Sequence, residues 1–160
     1  MSVNVYFVLK TLHILAAILF LGFGLASFFY KALAFRSGEP RVVLWCDRQI
    51  VLADWIFTVP SGLLLPLTGM AMALLFHLPL FSGWLAVGFA GYAVAGLTWL
   101  PAAVLQVRMR RLAERAVTTG TALPAEYGRA LQRWALLGVP SFLATLVTLW
   151  AMVSKWSPGG

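Results

Sequence analysis

From Trp55 to Val107 the chain runs fifty-three residues without an Asp, Glu, Lys or Arg. A helix crossing a bilayer needs about 20 predominantly apolar residues, so this run is too long for one pass. Its middle, His77-Leu78-Pro79-Leu80-Phe81-Ser82-Gly83, has the Pro, Ser and Gly of a tight turn and divides it into two passes. Charge-free runs of twenty residues between Lys10 and Lys31, and of twenty-one between Arg133 and Lys155, supply one further pass each. Only 11% of the residues are charged and the mean hydropathy is +0.88, whereas a soluble domain carries about 25% charged residues. The expected fold is all-α, an integral membrane four-helix bundle. It forms a single domain over residues 1–160, with spans at about 4–30, 50–77, 82–107 and 134–154.

The first span is expected to be retained rather than cleaved. Ala32-Leu33-Ala34 has the small-x-small pattern of a signal cleavage site. However, the first basic residue comes only at position 10, and the apolar stretch exceeds the usual ~7–15 residues. Between spans three and four, Gln106 to Thr118 lacks Gly and Pro and spaces Val107, Leu112 and Val117 among arginines, the pattern of a helix protruding from the membrane. Arg110 and Glu114 stand at i, i+4 within it. Thr119-Gly120 should end that helix, and Pro124-Ala125-Glu126 should open the one that becomes span four.

Orientation follows from the basic residues. Lys31, Arg36, Arg41 and Arg48 lie between spans one and two, and Arg108, Arg110, Arg111, Arg115, Arg129 and Arg133 lie between spans three and four. The positive-inside rule puts both segments in the cytoplasm, and with them the helical extension, leaving both termini outside. The net charge of +7 is therefore a topology signal. Its nearest partners are anionic lipid headgroups, and nucleic acid is not expected as a partner. Trp45, Trp55 and Trp134 then fall near the inner boundary and Trp84, Trp150 and Trp156 near the outer one, as an aromatic belt. Cys46 is the single cysteine, so the chain has no intrachain disulfide and no Cys-based metal motif.

Helical spacing gives each span one small or polar face. His13, Ala17, Phe20, Gly24, Ser27 and Lys31 share a stripe on span one. Asp54, Thr58, Ser61, Leu65, Thr68 and Met72 share one on span two, where Pro60 and Pro66 bend the helix. Span three offers Gly88, Tyr92, Ala95, Trp99 and Gln106, and span four offers Ser141, Thr145, Thr148 and Met152. The four stripes are expected to converge on one axis. Small residues and hydroxyls on them serve helix packing, and Asp54, near the cytoplasmic end of span two, is expected to pair with Arg48 or the arginines after span three.

His13 is the residue least explained by packing, although a neutral imidazole there can also be satisfied by a neighbouring Thr or Tyr. At ~1.5 Å per residue from about position 4 it lies ~13 Å below the outer boundary, near the middle of a ~30 Å hydrocarbon core. Ionisable side chains at that depth are rare and mark sites, and imidazole is a ligand for haem iron and for copper. Lys10, one turn nearer the outside, is placed to meet a ligand carboxylate such as a haem propionate, or to extend to the headgroups. His77, the other histidine, sits at the outer end of span two and is a weaker metal-ligand candidate. It lies roughly 10 Å from His13 along the membrane normal, too far to share one iron.

Three segments carry a family resemblance: Val8-Leu9-Lys10-Thr11-Leu12-His13-Ile14-Leu15-Ala16-Ala17; Ala53-Asp54-Trp55-Ile56-Phe57-Thr58-Val59-Pro60 with Pro66-Leu67-Thr68-Gly69; and Trp99-Leu100-Pro101 with Leu105-Gln106-Val107-Arg108. Over nearly its whole length the chain resembles a bacterial family of predicted integral membrane proteins of unknown function. That family is distantly similar to copper-resistance protein D and to the HemJ-type protoporphyrinogen oxidases, whose first helix also carries Lys-x-x-His. The resemblance implies a b-type haem on His13 with Lys10 in support. The HemJ-type pattern has further His and Lys residues on a later helix; span three here has none, so the resemblance does not carry the oxidase reaction or a second axial ligand. Met70, Met72 or an open position remain for the latter.

The expected function is a haem-b-binding protein of a bacterial inner membrane, multi-pass, in electron transfer or porphyrin-related redox chemistry; any catalysis would be that of an oxidoreductase. The alternatives are a non-catalytic subunit of a homo-oligomer or larger membrane complex, and copper or small-solute transport through His13, His77 and methionines. The topology has a direct test. A periplasmic reporter fused after the C-terminus should be active and a cytoplasmic one inactive, with the reverse at Arg115; an active cytoplasmic reporter at the C-terminus would reverse the orientation.

Overall fold

The computed structural model describes residues 3–155, so Trp156 of the expected outer belt lies outside the described residues. All regular structure among them is helical: α1 (Val3–Arg36), α2 (Pro40–Ala53), a π-helical turn (Asp54–Thr58), α3 (Val59–Leu75), α4 (Gly83–Thr119) and α5 (Ala125–Ser154). The helix Pro40–Leu75 is continuous through the π turn, giving four helices long and apolar enough to cross a membrane. At 37 residues α4 is about 55 Å long, well beyond a ~30 Å hydrocarbon core. Its last turns therefore extend past the charge-free run. As expected, Gly120 closes it, in the left-handed conformation at φ 65°. At the start of α2, Pro40 takes the first helical position and the Glu39 side chain accepts the Arg41 amide at 3.3 Å.

The bundle has two unlike ends. One, here the arginine end, holds the connections at 37–39 and 120–124; the other, the terminal end, holds the first turns of α1 and α4 and the last turns of α3 and α5. At the arginine end α1, α2, α4 and α5 meet in a closed core that includes Val43, Ile50, Met109, Ala113, Tyr127 and Trp134. Toward the terminal end α1 packs on α3 and α4 on α5, while α1 touches α5 only sparsely. Large apolar side chains such as Phe7, Ile18, Leu63, Leu97, Val104 and Val153 face outward all round. Carried by membrane-length helices, they contact lipid.

A buried ion pair holds the arginine end. Lys31 of α1 and Asp47 of α2 are each 1% exposed and in direct contact. Tyr127 of α5 donates its hydroxyl to Asp47, 3.1 Å from Oδ2, and the Lys31 ammonium lies 5.6 Å from the centroid of the Trp134 ring. Three helices are thus tied by one carboxylate.

Asp54 departs from its expected pairing with arginine. Arg48 bonds Glu114 at 2.6 Å, which also replaces the i, i+4 pair expected between Arg110 and Glu114. Asp54 instead accepts from Thr58 Oγ1 at 2.8 Å. With the Gln106 amide oriented by its neighbours, Gln106 donates to Asp54 Oδ2 at 2.5 Å and accepts from Trp134 Nε1 at 3.1 Å. Asp54 also opens a π turn, in which Val59 N–H reaches back five residues to the Asp54 carbonyl. Trp134, expected in the belt, is 8% exposed and belongs to the core, whereas Trp45, Trp55 and Trp150 are exposed as belt residues should be.

Asp47→Ala leaves a buried ammonium without its partner and should lower stability by about 3–5 kcal/mol. The melting temperature in detergent measures it. The double variant Lys31→Met, Asp47→Leu should regain most of the loss, and a single variant melting with the parent would show that the pair does not clamp the bundle.

Candidate functional site

On α1 the stripe expected from spacing faces inward except at Gly24, which is exposed, and at His13 it meets α3. His13 Nδ1 lies 2.8 Å from Thr68 Oγ1. Thr68 has one hydroxyl hydrogen, and it is directed to the Leu64 carbonyl at 2.5 Å in the i−4 bond usual for a helical threonine. The hydroxyl oxygen is therefore the acceptor and His13 Nδ1–H the donor. This assigns the tautomer from the network and leaves the lone pair on Nε2. Gly69 makes the approach possible: a Cβ there would stand 3.2 Å from His13 Cε1. Thr68 and Gly69, both in the Pro66-Leu67-Thr68-Gly69 segment, together form the seat of the ring.

The ring borders a cavity of about 90 Å³ between the α1/α3 pair and the α4/α5 pair. Its walls are the expected inward stripes: His13 and Phe20 from α1, Leu65 from α3, Gly88, Tyr92 and Ala95 from α4, and Thr145, Thr148 and Met152 from α5. Tyr92 crosses between the pairs, donating its hydroxyl to the Gly62 carbonyl at 2.8 Å. Gly88 and Gly91 let α5 come close, for a Cβ at either would collide with Met152 or Thr148. Thr148 Oγ1 is buried with no hydrogen-bond partner among the described residues. An unpaired hydroxyl in an otherwise apolar wall is unusual.

The other site residues expected from sequence stand apart. Lys10 is exposed, 5.7 Å from the Tyr6 ring centroid, and does not line the cavity. His77 is exposed at the turn after α3 and does not line it either. His77 occupies the left-handed position of a helix C-cap, φ 51°, with its N–H on Leu74 O and that of Leu78 on Ala73 O. Among the described residues no three His, Cys, Asp or Glu side chains cluster to hold a metal ion. Met70 and Met72 are not in the wall. Met152 is, so the thioether sharing a cavity with His13 comes from the last helix. The sequence held the signal, since Met152 was on the inward stripe of its span. Which helix faces His13 is a tertiary fact.

Gly22 and Gly24 on α1 and Gly96 on α4 look onto open space instead of packing within the chain. The wide groove beside Arg108, Arg111 and Arg115 at the arginine end carries one ion pair, Arg108 with Glu126.

Residues 7–156 match the family described as predicted integral membrane protein (DUF2269), and the chain belongs to that family. No curated protein and no solved structure matches it.

Because His77 serves a backbone conformation that glycine adopts without a Cβ penalty, His77→Gly should leave the melting temperature unchanged or raise stability by about 1 kcal/mol. A large loss would mean that the imidazole has a partner of its own.

Proposed function

We propose that this member of an integral membrane family is a multi-pass haem-b protein of the bacterial inner membrane, both termini outside, with His13 as an axial ligand. The observation that carries the reading is the Thr68 contact. A ligating histidine characteristically has its second ring nitrogen held by a protein acceptor, which fixes the tautomer and the ring plane. His13 has that arrangement in a chain with only two histidines.

The donor chemistry of the cavity fits an iron porphyrin. It offers His13 Nε2 from the α1/α3 pair, the Met152 thioether from the α4/α5 pair, apolar walls, and the unpaired Thr148 hydroxyl. Imidazole with thioether is an established axial set that raises the potential of the iron. The cavity is small as it stands. About 90 Å³ accommodates roughly three waters, while cofactor pockets begin near ~300 Å³. A porphyrin therefore requires the two helix pairs to part, and their sparse contact near the terminal end supports that. When bound, haem b supplies one-electron transfer, and His13, Met152 and the walls orient it and keep water away. A copper site is less well supported, since one imidazole and one thioether are fewer soft ligands than such a site uses.

A second reading, a non-catalytic subunit of a larger assembly, is favoured by Gly22, Gly24 and Gly96. Small residues open to the bilayer let another helix approach closely.

Protein expressed with ample haem supply and purified gently should show a Soret band. His13→Ala should abolish it, Met152→Ala should shift the reduced spectrum, and Thr68→Val should weaken retention about 10–100-fold, as loss of a supporting acceptor does. No Soret band, or an unchanged one in His13→Ala, refutes the haem reading and leaves the subunit reading as the better account.

A further inference from the structure

We infer that the groove beside Arg108, Arg111 and Arg115 at the arginine end is a binding site for an anionic phospholipid with two phosphates, of the diphosphatidylglycerol (cardiolipin) kind, held lengthwise along α4. The site is separate from the His13 cavity and does not depend on what occupies that cavity.

The groove is built by one face of α4 and the first turn of α5. Its volume is about 560 Å³, and its walls include Val104, Val107, Arg108, Arg111 and Arg115 from α4 and Glu126 from α5. Val104, Arg108, Arg111 and Arg115 follow one another at steps of four, three and four residues, the spacing of a single helical face. The charge-free run ends at Val107, so that face changes character there. Val104 is 69% exposed, and Leu100 and Leu97, one and two turns back along the same face, are 60% and 72% exposed. An apolar lane open to lipid thus leads into a groove walled by guanidiniums. That is the shape of an amphiphile. A soluble phosphate compound would leave both the lane and the valine wall unused.

Charge then selects the headgroup. Three guanidiniums and one carboxylate line the groove, a formal charge of +2. The carboxylate, Glu126, is engaged by Arg108, whose Nε donates to Oε1 at 3.0 Å. Glu114, the neighbouring carboxylate on α4, is engaged by Arg48. Arg111 and Arg115 are exposed, and their guanidiniums make no hydrogen bond or ion pair among the described residues. A free guanidinium fork grips phosphate through two parallel hydrogen bonds. From Arg108 to Arg115 the cations extend over about 10 Å of helix axis, room for two phosphates in line. Two phosphodiesters balance the charge of the groove, whereas one balances half of it. Basic pockets beside membrane helices recognise such headgroups by these means.

The test uses the full chain in neutral detergent, with the melting temperature as the readout of binding. Cardiolipin should raise it, saturating near one lipid per chain. Phosphatidylglycerol should need about tenfold more at matched phosphate, because its phosphates arrive separately, and inorganic pyrophosphate should have no effect. Arg111→Gln and Arg115→Gln should each weaken the cardiolipin response about fivefold. Their melting temperatures without lipid should match the parent, since neither guanidinium has a partner in the chain. Glu126→Gln, which releases the Arg108 fork, should strengthen the response. Arg41→Gln, at an exposed arginine of the same end but outside the groove, should leave it unchanged. Equal responses to cardiolipin and phosphatidylglycerol at matched phosphate overturn the proposal. So does a loss in Arg41→Gln as large as in Arg111→Gln, which makes the effect one of overall surface charge. A pyrophosphate response equal to that of cardiolipin assigns the groove to a soluble phosphate compound and overturns the lipid, and no response to either lipid removes the site.

Discussion

The buried contact of Lys31 with Asp47 is the interaction on which the arrangement of the helices depends. A charge inside apolar surroundings is tolerated only when paired and fully hydrogen-bonded, so this pair fixes where α1 must meet α2. Through the Tyr127 hydroxyl it also fixes where α5 must lie. The neighbouring chain of Asp54, Gln106 and Trp134 brings α4 into the same layer. Each of these groups would be left unsatisfied if a helix slid or rotated, which sets the register of the whole bundle at one end.

Among the described residues nothing comparable closes the other end. There the helices form two pairs, and the pairs meet through the Tyr92 to Gly62 hydrogen bond and the walls of a small cavity. A bundle clamped at one end and loosely joined at the other has a natural hinge. His13 sits on that side, with its ring bonded to Thr68 and set against Gly69. A threonine whose hydrogen is already committed and a glycine without a side chain hold it from behind.

Charge is sorted along the same axis. Every carboxylate side chain stands with the arginines, where ion pairs and lipid headgroups are available, and the opposite half holds only lysines and histidines. The sorting is stronger than topology demands, because the positive-inside rule concerns basic residues and is nearly indifferent to acids.

The sequence by itself determined the class of fold and most of what faces inward. Charge-free apolar runs of about 20 residues fit helices, which satisfy their own backbone in hydrocarbon, whereas barrel strands are about half that length. The spacing of His13, Tyr92, Thr148 and Met152 follows from the 3.6-residue turn, which is local. Gly120 could be read as a helix end for the same reason. Pairing between helices was another matter. In the sequence Asp54 reads as a partner of arginines and Lys31 as one more inward residue, while Asp47 lies outside the apolar spans. In the fold Asp54 is bonded by Gln106 instead, and the packing of α2 against α1 buries Asp47 against Lys31. Tertiary structure alone decided that Thr68 and Gly69 seat His13 and that Met152 shares its cavity. Those are distances between residues far apart in the chain, set by how four helices rotate against one another, and helical periodicity fixes each face without fixing which faces meet.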